Sequence, residues 1–160
     1  MTTRTPTPRM MTTAPNHVGG VTVNRTMWSP DRDASLRGIR VLTANLLDSR
    51  GLWLPERRTI LLKRGLTSTT RKCVLAHELA HAYYGDDCST PDRERRANRW
   101  AANRLITADD VARCSQDYPG HPEQWCERLQ VTDLILLAWL QQPKNMEAVE
   151  RSLAASHRAA

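Results

Sequence analysis

The sequence predicts an α+β domain, and three observations carry that reading. Short β-prone runs separated by turn residues occupy positions 39–62. A stretch without helix breakers follows at 71–84 and stops at Gly85. From Thr90 onward the chain is punctuated only by capping residues and prolines, the pattern of successive helices.

Taken in order, residues 1–20 are rich in Thr and Pro, carry Arg4 and Arg9 and contain no acidic residue. Such a segment buries too little apolar surface to offset its ordering entropy, which predicts a flexible tail. It has no hydrophobic core segment of the kind a secretory signal needs. Residues 21–28 fit either a short strand or a helix start. Ile39, Val41 and Leu42 open the first strand run, and Asp48-Ser49-Arg50-Gly51 is turn chemistry. Leu52-Trp53-Leu54 and Thr59-Ile60-Leu61-Leu62 follow, with Pro55 at a bend between them. A small antiparallel sheet or meander is the economical arrangement.

Thr67 to Thr70 offer N-caps for the helix at 71–84, and Gly85 its C-cap. Thr90 caps a second helix with Pro91 at its first position, running to about Ile106. Thr107 and Asp110 form a capping box for a third. After a break at 118–122, short helices are expected at 123–129 and 133–141, then a weak one from Asn145. This organisation divides into a tail (1–20), a domain at 21–117 and a helical extension at 118–160.

With 160 residues and 40% apolar side chains, the chain can bury one real core. No apolar run approaches the roughly 18 residues of a membrane-spanning helix. The four cysteines, Cys73, Cys88, Cys114 and Cys126, lack CxxC spacing and read as reduced thiols of a cytoplasmic protein. The net charge of +6 favours acidic partners, and is equally common as a solubility device.

The chemistry sits in His77-Glu78-Leu79-Ala80-His81, an H-E-x-x-H pattern inside the first long helix. Residues four apart lie one above the other, so both imidazoles can grip a single ion. Glu78 lies about 100° round the helix, placed to reach a bound water rather than the ion. A catalytic zinc also needs a third protein ligand and an open position. Glu94 is the favoured third ligand, with Asn98 one turn later to hydrogen-bond the outer nitrogen of a liganding histidine. Ala97 and Ala101 would let the two helices approach closely. Asp87 is a rival, six residues after the second His. A closed Cys2His2 site from Cys73, His77, His81 and Cys88 is another, and would leave no room for water.

Cys73-Val-Leu-Ala-His-Glu-Leu-Ala-His81, followed by Glu94-Arg-Arg-Ala-Asn-Arg-Trp-Ala-Ala102 and Leu105, resembles the ImmA/IrrE family of metallo-endopeptidases. The likeness extends upstream to Gly51-Leu-Trp and Arg58-Thr-Ile-Leu-Leu. It implies a zincin-like domain with His77, His81 and Glu94 on Zn2+ and Glu78 as general base and acid. It also implies site-specific cleavage of a helix-turn-helix transcriptional repressor by a compact, phage- or mobile-element type of enzyme. Ala80 replaces the glycine often found before the second His. The alternative is a non-catalytic regulator that keeps the peptidase fold and docks a partner.

Three weaker features remain. Residues 126–140 have a helix-turn-helix cadence, but Leu134, Ile135, Leu136, Leu137 and Trp139 are packing material, so direct nucleic-acid binding is not expected of the protein. Arg93, Arg95, Arg96 and Arg99 crowd one helix, as a solvated face or toward an acidic substrate segment. Tyr83 or Tyr84 is available to stabilise an oxyanion.

Overall fold

A computed structural model describes residues 28–159; the tail expected at 1–20 and the ambiguous stretch 21–27 lie outside the described residues. The element order is α1 (Pro30–Leu36), β1 (Arg40–Ala44), β2 (Gly51–Leu54), β3 (Thr59–Lys63), α2 (Ser68–Tyr84), α3 (Pro91–Leu105), α4 (Ala108–Asp117), α5 (Pro122–Leu129), α6 (Asp133–Leu140) and α7 (Pro143–Ala159). The α+β expectation holds.

Helix starts follow their caps. Thr67, Thr90 and Thr107 each accept a backbone N–H three residues on, from Thr70, Arg93 and Asp110. Each such cap stabilises its helix by about 1 kcal/mol. The same logic forms α1, absent from the sequence reading: Ser29 caps it, Pro30 starts it, and Asp31 and Asp33 fill its acidic first turn. α7 is also longer than expected, starting at Pro143 rather than fading in from Asn145.

The sheet corrects the antiparallel expectation. Its strand order is β1-β3-β2, with β2 antiparallel to β3 and β1 parallel to it. The reason is burial. β3 carries Thr59, Ile60 and Leu62, all nearly inaccessible, and so takes the centre, whereas β1 alternates exposed and half-buried residues suited to an edge. Only β2 and β3 form a local hairpin, across a 3-10 turn at Pro55–Arg57.

α2 crosses this sheet, and Ile60, Leu62, Leu75 and Leu79 make one core with it. Burying a side chain such as Leu79 contributes roughly 1.5–3 kcal/mol. α3 packs along α2 through residues of minimal bulk: Ala76, Ala80, Ala97 and Ala101 are all fully buried. Small side chains bring the two helix axes close, which sets the width of whatever lies between them. α6 packs on α3, and its Ile135, Leu136 and Trp139 belong to the same core.

Candidate metal centre

α2 and α3 bring His77, His81 and Glu94 together. The two imidazole Nε2 atoms are 3.0 Å apart, and the Glu94 carboxylate reaches them at 3.0 Å (His77) and 3.4 Å (His81). One ligand atom from each lies within 4.8 Å of the other two, the only such group of His, Cys, Asp and Glu among the described residues. All three face a cavity of about 580 Å3 that Glu78 and Asn98 also line.

The outer nitrogens are held. His77 Nδ1–H donates to Asn98 Oδ1 at 2.8 Å, and His81 Nδ1–H donates to Asp86 Oδ2 at 3.0 Å. A carboxylate can only accept, so Asp86 draws the His81 proton to Nδ1 and turns Nε2 toward the site as the coordinating nitrogen. The Asn98 carbonyl imposes the same tautomer on His77. Burial, with the neighbouring His81 ring as a smaller cause, pushes the His77 imidazole below its ordinary value. Two imidazole nitrogens and a carboxylate therefore converge at about 3 Å, a donor set that a cation at its centre would satisfy. The donor set, two imidazoles and one carboxylate, suits zinc and other borderline divalent ions.

Asp86 was not singled out by sequence reasoning. Gly85, at φ 69°, ends α2 in the left-handed conformation that favours glycine, and the Asp86 N–H returns to the His81 carbonyl at 2.9 Å. That turn folds Asp86 back beneath His81, where it is 5% exposed. Burial alone would raise its pKa; the His81 ring and Arg96, at 2.6 Å, override this and hold it below the usual carboxylate range. An acid directly after the C-cap glycine, five residues beyond the second His, is the signal that could have found it. Ser89, also missed, donates its hydroxyl to Glu94 Oε1 at 2.6 Å and orients the third carboxylate.

Glu78 is 7% exposed, and burial pushes its pKa up to about 7. It sits against β2, where the Trp53 backbone faces it. A Cβ on Gly51 would stand 2.5 Å from Val74 Cγ1 and 2.6 Å from Glu78 Oε1, so only glycine lets the strand come this close.

The rival ligands line the same cavity but do not join the His77–His81–Glu94 group. Asp87 is exposed and paired with Arg93 at 2.9 Å. Cys88 is exposed with its sulfur against the same arginine, and Cys73 is buried, its thiol pushed up by burial and facing Thr132. Neither cysteine joins the His77–His81–Glu94 group. Tyr83 and Tyr84 do not line the metal cavity. They face a separate one beside Trp100, which leaves an oxyanion role unsupported.

An α+β domain whose long helix offers two imidazoles to a carboxylate on the next helix is the architecture of a metallopeptidase. The model of the IrrE N-terminal-like domain, Peptidase_M78, matches residues 34–138, and the chain belongs to that metallopeptidase family. The match spans β1 through most of α6. No curated protein matches the chain.

Proposed function

We propose that this protein is a zinc-dependent endopeptidase that cuts a helix-turn-helix repressor at one site and thereby relieves repression of a phage or mobile element. The carrying observation is the convergence of two Nε2 atoms and the Glu94 carboxylate, with the buried Glu78 carboxylate beside them. His77, His81 and Glu94 would hold the ion. When bound, zinc supplies an acidified water and polarises a carbonyl oxygen.

The protein's own groups do the rest. Glu78, buried and with its pKa raised to about 7, takes the proton that the attacking water loses. It returns that proton to the amine nitrogen as the C–N bond breaks. Asn98 and Asp86 keep the two rings oriented and in the coordinating tautomer, and Ser89 holds Glu94. Leu52, Val74, Leu134 and Ile135 line the cavity and give it an apolar wall against which a substrate segment would lie.

A cytoplasmic site of action agrees with four free cysteines. Among the described residues, no helix is long and apolar enough to cross a membrane. The test is Glu78→Gln. Incubated with repressors encoded beside its gene, the variant should keep its metal and its fold while losing cleavage. Full cleavage by Glu78→Gln contradicts the mechanism.

A partner-docking role without chemistry makes the opposite prediction. It is favoured only by Leu134 and Leu137, which are each more than half exposed on α6. Under it Glu78→Gln is silent, and Leu134→Ser with Leu137→Ser abolishes function.

A further inference from the structure

We propose that the outer face of α3 binds single-stranded nucleic acid, with Arg99 and Arg104 on phosphates and bases stacked beside Tyr83 and Tyr84. A second cavity, about 700 Å3, opens there and shares no lining residue with the metal cavity. Its lining includes three arginines (Arg96, Arg99 and Arg104) and no carboxylate.

The face alternates cations with rings. Arg96, Trp100 and Arg104 follow at four-residue intervals and so share one stripe of α3. The Arg96 guanidinium carbon lies 4.0 Å from the Tyr84 ring centre, and that of Arg104 lies 4.0 Å from Trp100 and 5.5 Å from Trp28. Tyr83 and Tyr84 pack edge to face, 5.0 Å between centres, and both remain exposed. Rings and guanidinium planes of this kind are the platforms on which unpaired bases stack.

Charge supports the same ligand. Elsewhere on α3 the arginines are spent on carboxylates: Arg93 on Asp87, Arg95 on Asp92, Arg96 on Asp86. Arg99 and Arg104 have no carboxylate partner among the described residues. Residues 1–27 carry Arg4, Arg9 and Arg25 and no Asp or Glu. An acidic peptide would need the charges alone; the exposed Arg104 laid over the buried Trp100, beside the exposed Tyr83–Tyr84 pair, adds a complement to bases.

The face is built for tolerance of sequence. Asn103 and Gln142, its two amide side chains, hydrogen-bond each other at 2.9 Å rather than standing free to read base edges. This use of α3 asks nothing of α6, which offers no base-reading residues.

The experiment is fluorescence anisotropy of the full chain with a labelled oligothymidylate of about 20 nucleotides, beside a labelled polyglutamate of similar charge. The oligonucleotide should bind, and two to three neutralised phosphates should weaken it about tenfold between about 50 and about 200 mM salt. Arg99→Ala with Arg104→Ala should weaken binding at least about tenfold, and Arg104→Lys, which keeps charge without the planar stack, by less. Arg57→Ala with Arg64→Ala, charges outside this face, serves as the control, and circular dichroism with metal content reports folding. Absence of oligonucleotide binding, equal or tighter binding of polyglutamate, or an Arg99/Arg104 variant that binds like the control overturns the proposal.

Discussion

His81 Nδ1 lies 3.0 Å from Asp86 Oδ2, and the Asp86 carboxylate is in turn held by Arg96 at 2.6 Å. A buried anion thus fixes which nitrogen of a ring offers its lone pair to the site. Asp86→Asn keeps the shape of the group but removes the charge. We expect it to weaken metal affinity by about 10- to 100-fold, measured by competition with a chromogenic chelator. An unchanged affinity would mean that Asp86 is a packing residue.

Gly51→Ala brings a methyl within 2.6 Å of Glu78 Oε1 and 2.5 Å of Val74 Cγ1. Strand β2 or the Glu78 side chain must shift. A stability loss of about 1–3 kcal/mol is expected by denaturant titration, together with a fall in cleavage rate larger than that in metal affinity. Equal rates in both proteins would show that the contact is slack.

Metal content should follow α3 and not the cysteines. Glu94→Ala is expected to lose metal on dialysis, whereas Cys73→Ser combined with Cys88→Ser retains it, read by inductively coupled plasma analysis. Cys88 is exposed against Arg93, and Cys73 lies in the core rather than at the Nε2 pair. Loss in the double cysteine variant would restore the closed Cys2His2 arrangement.

In the metal-free protein, the contribution of Glu78 to stability should fall as pH rises. Glu78 has a folded pKa of about 7 against an ordinary 4.5, so between these values the folded state binds more protons than the unfolded one. Stability from this group is fully present below about pH 4.5 and is lost as pH rises through about 7, a change on the order of 3 kcal/mol. In chelator, Glu78→Gln should therefore be more stable than the parent at pH 8 and nearly equal to it at pH 4.5, by thermal melts. A Glu78→Gln variant whose advantage over the parent does not grow between pH 4.5 and pH 8 would contradict the burial of Glu78.

The parts legible in sequence are those set by local chemistry. Thr90-Pro91 and Thr107 with Asp110 announce their helices, and the spacing of His77, His81, Glu94 and Asn98 survives folding because each pair sits on one helix. The same Ser29-Pro30 signal was available for α1. It went unread because the helix is only seven residues long and adjoins β-prone sequence. Non-local choices were out of reach. The parallel pairing of β1 with β3 depends on which strand is covered, and no local pattern states that. Asp86 joins His81 only because Gly85 turns the chain left-handed, a conformation that sequence permits without requiring.

The most direct test of the whole account is zinc K-edge X-ray absorption on the loaded protein. Two imidazole nitrogens near about 2.0–2.1 Å and oxygen-only remaining neighbours are the predicted result. A sulfur scatterer near about 2.3 Å, or a single imidazole, would contradict it.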